Sequence, residues 1–394
     1  MEIIEDIIVY GDIQENALDQ MRNCKDEAYR CALMADHHLG YSVPIGGVIA
    51  YENHISPSGV GFDIACGNKA VKLDCCYKDI NKDVPKIMDE IYKSISFGVG
   101  RKNSEEVDHE LFSDHIWRSS DFLDEKIKTM AREQLGTVGS GNHYVDIFKD
   151  SSDKIWVGVH FGSRGLGHKT ANHFIKAAGG KDGINVKPTL LDVNTEMGID
   201  YINHMELAGK YAYAGRDWVC SKVASILGVK QLNSVHNHHN FAWKEEHEGK
   251  DLWVVRKGAT PAFPGQEGFI GGSMGENSYI VEGVCGEQSA KSLYSTVHGA
   301  GRILSRSEAA GKKRWKKGKI VKKTDGCITT EMMRDWVNKA GVELRGAGTD
   351  ESPHCYKRLD KVLADQGSTI SITETLTPIG VAMAGSDEFD PFKD

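Results

Sequence analysis

No apolar run in the 394 residues approaches the ~18–20 that a membrane helix needs, and the mean hydropathy is −0.40. The opening residues, MEIIEDIIVYGD, carry acids where an export signal carries positive charge. These two absences predict a soluble, cytoplasmic protein. An excess of positive charge is missing as well. Lys and Arg number 48 against 56 Asp and Glu, for a net charge of −8. Overall electrostatics therefore disfavour nucleic acid, and any such partner must be met by a local basic patch. Internal repeats and low-complexity linkers are absent too. With 26% charged and 40% hydrophobic residues the composition excludes a disordered, collagenous or coiled-coil chain. The nine cysteines are an odd count without an export signal, so a disulfide framework is not expected. Most of them read as small buried hydrophobes.

Glycine is present in excess, 43 residues, against an average near ~7% of a chain. It concentrates in short runs, which points to backbone held close to a ligand. Between these runs the hydrophobic periodicity predicts a strand over 2–10 and a helix over 13–26, with Ala17, Leu18, Met21 and Cys24 on one face. Residues 34–67 read as glycine-rich and irregular. Strands are predicted near 68–76, 153–162, 252–256, 277–282 and 369–374. Helices are predicted over 81–95, 168–178, 197–227, 301–316 and 329–340, and from Ser352-Pro353 to about residue 365. The order lacks the regular alternation of a doubly wound sheet. It predicts an α+β fold with substantial antiparallel sheet. The chemically unusual residues run from Asp36 to Arg302, so one site draws on most of the chain. That argues for one large domain over 1–394.

Five short segments carry the chemistry. In Gly59-Val60-Gly61-Phe62-Asp63-Ile64-Ala65-Cys66-Gly67 a carboxylate and a thiol stand three residues apart. Either this is a turn beside a buried cysteine, or a thiolate bridges two metal ions with Asp63 terminal on one of them. Gly136 to His143, GTVGSGNH, is dense enough in glycine for amide groups to approach phosphate, but no Gly-Lys-Ser/Thr follows, so it is not a Walker loop. Val159 to His168, VHFGSRGLGH, ends an apolar strand on His160, with Ser163 and Arg164 suited to phosphate. His236-Asn237-His238-His239-Asn240 is too polar for ordinary core and reads as a solvated loop or a ligand segment. Val297 to Arg302, VHGAGR, runs into a predicted helix, where His298 could act on phosphorus with Arg302 steadying charge. Together these make the composition of a two-metal site beside a phosphate pocket.

A sixth feature bears on the substrate. From Arg302 to Lys323 there are ten basic residues, Lys312, Lys313 and Arg314 among them, with Glu308 as the one acid and Trp315 in the run before Asp325. This is either a solvated face or a strip for a nucleic-acid backbone.

The chain resembles the RtcB family of GTP- and manganese-dependent RNA ligases. The matching stretches are DHHLGYSVPIGGV (36–48), ISPSGVGFDIACG (55–67), GTVGSGNHYVD (136–146), VHFGSRGLGH (159–168), HHN (238–240), RKGATPAF (256–263), GGSMGENSYIV (271–281) and HGAGR (298–302), in family order. The resemblance implies a single RtcB-like domain with central sheets. It implies Cys66 as a thiolate bridging two Mn²⁺ ions, His160 and His239 completing one site, and Asp63 and His143 the other. It implies His298 as the residue that takes GMP from GTP. Asn142, Asp146, His239, Asn240, Gly272, Ser273, Met274, Gly275, Gly299, Ala300 and Gly301 would line the nucleotide pocket. Asp36, Arg164 and Arg302 would support the chemistry. The implied partner is RNA with 3′-phosphate or 2′,3′-cyclic phosphate and 5′-hydroxyl ends, joined by a monomer in tRNA splicing or repair.

Two departures stand out. Asp146 occupies a position where many members have Glu. The usual C-terminal Lys-Gly is also missing, because residues 380–385 read GVAMAG. The tail 386–394 is expected to dock back, with Lys393 or an acidic neighbour serving the guanine base. Alternatives of other classes are a guanylyltransferase that only caps 3′-phosphate ends, a two-metal phosphohydrolase that needs no covalent His298, and an RNA-binding protein with structural metal.

Overall fold

The computed structural model describes residues 1–181, 183–316, 319–386 and 388, without the side chains of 313–322. Two sheets organise them. The first has six strands in the order Glu2–Ile4, Ile7–Val9, Arg30–His38, Ile45–Tyr51, Lys250–Lys257 and Asn240–His247. The second has eight. Seven run Gln231–His238, Gly67–Cys76, Lys154–Phe161, Tyr144–Lys149, Ile370–Gly385, Ser278–Gly283 and Glu267–Ile270, and Glu343–Ala347 pairs in parallel beside Ile370–Gly385. Most pairings are antiparallel, so the α+β expectation holds. The helix Glu196–Leu227 packs along the second sheet and contributes to three hydrophobic clusters. Among the described residues no helix is long and apolar enough to cross a membrane.

Several local expectations need correction, each for a physical reason. Residues 2–10 form two strands instead of one, because Glu5 and Asp6 take φ of 49° and 67° and turn the chain. Both-positive φ is the signature of a tight hairpin turn. The stretch 34–67 is far from irregular: it holds the end of Arg30–His38 and all of Ile45–Tyr51. Residues 31–37 are all buried, so the polar-apolar alternation that marks a half-exposed strand never appears. The helix expected over 301–316 is only Arg306–Ala310, capped by Ser305, and Lys313–Lys316 pairs with Lys319–Lys323 as a hairpin. Ser352-Pro353 opens a short 3₁₀ turn, and the helix follows at Leu359–Gln366. The last strand is longer than expected, Ile370–Gly385.

The register of the second sheet decides where the chemistry goes. Gly67 pairs with both His238 and Phe161, and Tyr144 pairs with His160. Four adjacent strands thus end at the same level. Cys66 immediately precedes one, His143 another; His160 is the penultimate residue of a third, and His239 follows the fourth. His239 is also the single residue between Gln231–His238 of the second sheet and Asn240–His247 of the first. The candidate ligands therefore collect where the two sheets meet.

Candidate functional site

The segment that delivers Asp63 and Cys66 starts with Pro57–Val60, one helical turn capped by Ser56, whose Oγ accepts from the Gly59 amide at 3.0 Å. The chain then tightens. The Cys66 amide donates to Asp63 O at 3.0 Å, and Ala65 sits in the left-handed region at φ 58°. Such a conformation costs a non-glycine residue about 1–2 kcal/mol, so neighbours must hold it. Ala65 N donates to Asn240 O at 2.7 Å and His239 N donates to Cys66 O at 2.8 Å, locking this turn to the strand junction. Gly162 is required beside it, because a Cβ there would come within 2.3–2.8 Å of the Asp63 carboxylate.

Two triads result, Cys66–His160–His239 and Asp63–Cys66–His143, each with ligand atoms within 4.8 Å of one another. Cys66 belongs to both. His143 Nδ1 faces Val138 O at 2.8 Å and His160 Nδ1 faces Asn142 O at 3.0 Å. A carbonyl only accepts, so both rings carry their proton on Nδ1 and turn Nε2 inward. That is the orientation of metal-ligating imidazoles. His160 Nε2 then lies 3.2 Å from both Cys66 Sγ and His239 Nε2, and His143 Nε2 lies 3.0 Å from Asp63 Oδ2. Inward-facing lone pairs this close need a proton or a cation between them. A thiol, three imidazoles and a carboxylate suit divalent metal, and the cluster can hold it.

Electrostatics agree. Burial, reinforced by neighbouring imidazoles, pushes His160 and His239 far below the ordinary histidine range, so both remain neutral donors. Burial and the Asp63 charge push the Cys66 thiol up, so metal binding must displace its proton. Burial would raise Asp63, but with a proton in the gap to His143 Nε2 the hydrogen bond and charge of that ring, joined by the Arg164 charge, outweigh it and hold the carboxyl at about 2.

His298 stands next to this cluster, its ring centroid 4.8 Å from that of His239. It follows the strand Ser295–Val297, and no helix begins until Arg306, so the expected helix N-terminus does not supply its setting. Asp36 does. A register irregularity between Leu33 and His38 re-aims this part of the strand. The fully buried Asp36 Oδ2 accepts from the amides of His298 and Gly299 at 3.0 and 3.2 Å. The same oxygen is 2.7 Å from His298 Nδ1, within ion-pair reach though off the line of a hydrogen bond. Burial opposes the Asp36 charge, yet His298 prevails and lowers the carboxyl below its usual range. With Nδ1 turned to Asp36, Nε2 is the nitrogen left for a substrate.

Both triads and His298 line one cavity of about 720 Å³, a volume in the range of nucleotide-sized ligands. Its wall also includes Asn142, Asp146, Asn240, Gly272, Ser273, Met274, Gly299, Ala300, Gly301 and Arg302. Asp146 is buried, its Oδ1 has no partner among the described residues, and burial raises its carboxyl far above the usual range. Asn240 is a brace, its Oδ1 accepting from Gly258 N at 2.7 Å. Three of the expected residues are engaged elsewhere in the protein. Gly275 does not line the cavity; at φ 86° it packs on Trp336 and Ala340. Arg164 stands behind His143, Nη1 to Nδ1 at 3.4 Å, and is not on the cavity wall. Arg302 reaches the wall, but its guanidinium donates to Asp350 O and Tyr356 Oη, both at 2.7 Å. Lys393 lies outside the described residues.

The site also contains residues to which the motif reading gave no role there. Lys257, buried on the wall, donates to Tyr41 O at 2.5 Å. Arg306 pairs with Asp350 and Glu351 at the cavity margin. Arg216, on the long helix, lies behind the metal cluster. Its signal was present: it interrupts the stripe Tyr201, Met205, Ala208, Ala212, Val219, Val223 on the buried face of that helix. A charge in such a stripe needs a reason.

A family model described as tRNA-splicing ligase RtcB matches residues 18–384. The RNA-splicing ligase RtcB of Escherichia coli K12 is 31% identical over 382 residues, with 88% of each chain covered. The tRNA-splicing ligases RtcB of Archaeoglobus fulgidus and Thermococcus kodakarensis are 29% and 28% identical, covering 89% and 94% of this chain and 86% and 91% of their own. A match of this extent, over a sheet edge that gathers the shared Cys66, the histidines and Asp63, means that the chain belongs to the RtcB family of RNA-splicing ligases.

Proposed function

We propose that this chain is a monomeric cytoplasmic enzyme, a single domain over 1–394, that joins RNA 3′-phosphate or 2′,3′-cyclic phosphate ends to 5′-hydroxyl ends, with GTP and two Mn²⁺ ions. The observation that carries the reading is one thiol shared by two ligand triads, with His298 beside it. Cys66, His160 and His239 would hold one ion and Cys66, Asp63 and His143 the other. Bound there, divalent metal neutralises phosphate charge and lowers the pKa of an attacking hydroxyl.

The chain's own residues do the rest. Asp36 pins the His298 backbone and faces Nδ1, leaving Nε2 to attack the α-phosphorus of GTP. The N–P bond forms as the bond to pyrophosphate breaks. The 3′-phosphate of the RNA then takes GMP from His298. The 5′-hydroxyl of the second RNA attacks the activated phosphate, and GMP leaves. Asp146, Asn142, the 272–274 segment and 299–301 surround the nucleotide. The test is intact mass after incubation with GTP and Mn²⁺. A single GMP adduct is expected, and metal-loaded protein that forms none would overturn the reading. Joining and end-capping are assayed separately; adduct and capping without joining would select the capping alternative.

RNA would meet the basic run that follows the site. Lys312 and Lys323 are exposed at the ends of the hairpin arms, and the side chains of 313–322 lie outside the described residues. Reversing Lys312, Lys313 and Arg314 to Glu should weaken RNA binding about tenfold or more and flatten its salt dependence, with self-guanylylation intact. Unchanged affinity and salt slope would make the strip a solvated face.

The tail is read as a docking element. Glu388 pairs with Arg101 at 2.6 Å, and Gly98, three residues before Arg101, donates its amide to Gly139 O at 2.6 Å, so Glu388 stands by a segment bonded to the loop that carries Asn142. Truncation after Gly385 should raise the GTP concentration needed for adduct formation or relax the preference for GTP over ATP, with metal content unchanged. Unaltered GTP dependence and preference would refute a role for Lys393 or its neighbours.

A further inference from the structure

Arg216 is fully buried on the helix Glu196–Leu227. Its neighbour Asp217 turns away to pair with Lys69 and, at 3.5 Å, with His236 Nδ1. All four hydrogen bonds of the guanidinium go instead to carbonyls and imidazoles. Nη1 donates to Ala65 O at 3.0 Å and Phe161 O at 2.5 Å. Nη2 donates to His238 Nδ1 at 2.9 Å, and Nε donates to His236 Nε2 at 2.8 Å.

Three of the four acceptors share one property. Ala65 precedes Cys66, Phe161 follows His160, and His238 precedes His239. We propose that Arg216 is a positioning residue that sets the spacing of the Cys66, His160 and His239 ligands by holding the backbone or ring next to each. This rests on the metal reading above.

The geometry supports positioning over simple packing. A planar guanidinium presents its donors in a rigid fork, so four bonds from one group fix three segments relative to one another. The Ala65 carbonyl belongs to the left-handed residue ahead of Cys66, where the chain most needs restraint. As a donor only, Arg216 makes His236 Nε2 and His238 Nδ1 acceptors, so His236 turns its proton to Asp217 and His238 carries its proton on Nε2. Tyr213, three residues earlier on the same helix, lays its ring 4.0 Å from His236 and 4.1 Å from His238, centroid to centroid. Gly67 keeps the space clear, since a Cβ there would meet Asn237 O at 2.1 Å and Arg216 Nη1 at 3.1 Å. The helix thus reads the strand ends from behind while the cavity opens on the other side.

The experiment compares the full chain with Arg216→Lys, which keeps the charge and loses the fork, and with His236→Ala and His236→Gln, which leave Arg216 in place. Metal-free melting temperature, Mn²⁺ affinity by calorimetry and the thiolate-to-cobalt charge-transfer band of the Co²⁺ form are measured. Loss of groups that orient ligands costs about 10–100-fold in metal affinity. Arg216→Lys is therefore expected to lose at least tenfold in Mn²⁺ affinity and to weaken or shift the cobalt band. His236→Ala should show a smaller loss that His236→Gln, which retains an acceptor, restores. A purely structural role would lower the melting temperature and leave affinity and band unchanged in the folded protein; that result overturns the proposal. If Arg216→Lys does not fold, the His236 pair decides, and equal wild-type affinity in both variants overturns it. A wild-type chain that binds no metal refutes the metal reading itself, a separate outcome.

Discussion

Cys66→Ala is expected to lose both metal ions, with Mn²⁺ affinity falling about 100-fold or more and no adduct or joined RNA formed. The thiol is the one group common to the two triads, so its removal empties each of a ligand. His239→Ala should act differently. It belongs to one triad only, so one ion should be retained at close to wild-type affinity. Elemental analysis of dialysed protein, with calorimetric titration, measures this. Two ions still bound to the Cys66 variant would show that the thiol does not bridge. The identity of the ion is a separate question for the same assay. Divalent affinity rises from Mn²⁺ towards Cu²⁺, and thiolate with imidazole also suits Zn²⁺. Purified protein must therefore be stripped and reloaded before activity is compared.

His298→Ala should keep its fold and both ions and form no GMP adduct at any GTP concentration. The side chain is part of neither triad, so metal content should be intact. Stability should change by only about 1 kcal/mol, because Asp36 still accepts from the amides of residues 298 and 299 when the imidazole is gone. Mass spectrometry after incubation with GTP and metal reads the adduct, and thermal melting reads the fold. A full-yield adduct in this variant would place the nucleophile elsewhere. Joining that continues without an adduct would favour direct two-metal chemistry, and retained RNA binding as the sole activity of both wild type and variant would favour a binding protein.

These variants differ in what they owe to sequence and to fold. Asp63, Cys66, His143, His160, His239 and His298 were legible because each stands in a glycine-framed or strand-ending motif where a titratable side chain is hard to explain as core. Their family pattern spans most of the chain. The α+β class and most helix and strand positions followed from hydrophobic period, for example Val84–Ser94 and Lys154–Phe161. Arg30–His38 escaped because burial on both faces erases alternation, and the 301–316 helix failed because a basic run without an apolar stripe became a hairpin.

The groups this protein brings to its chemistry are legible in its sequence: one thiol, one acid and several imidazoles, most of them with glycine within two residues. Motif spacing along a chain carries no geometry, so it could not say that four of them share one edge. Strand register did that, by pairing Gly67 with His238 and Phe161, and Tyr144 with His160. Nor could local sequence reveal that Asp36 would pin His298 across 262 positions, or that a buried Arg216 would tie three ligand segments together. Those contacts exist only after the two sheets close over the site, where burial leaves each charge and each N–H no partner except the one the fold provides.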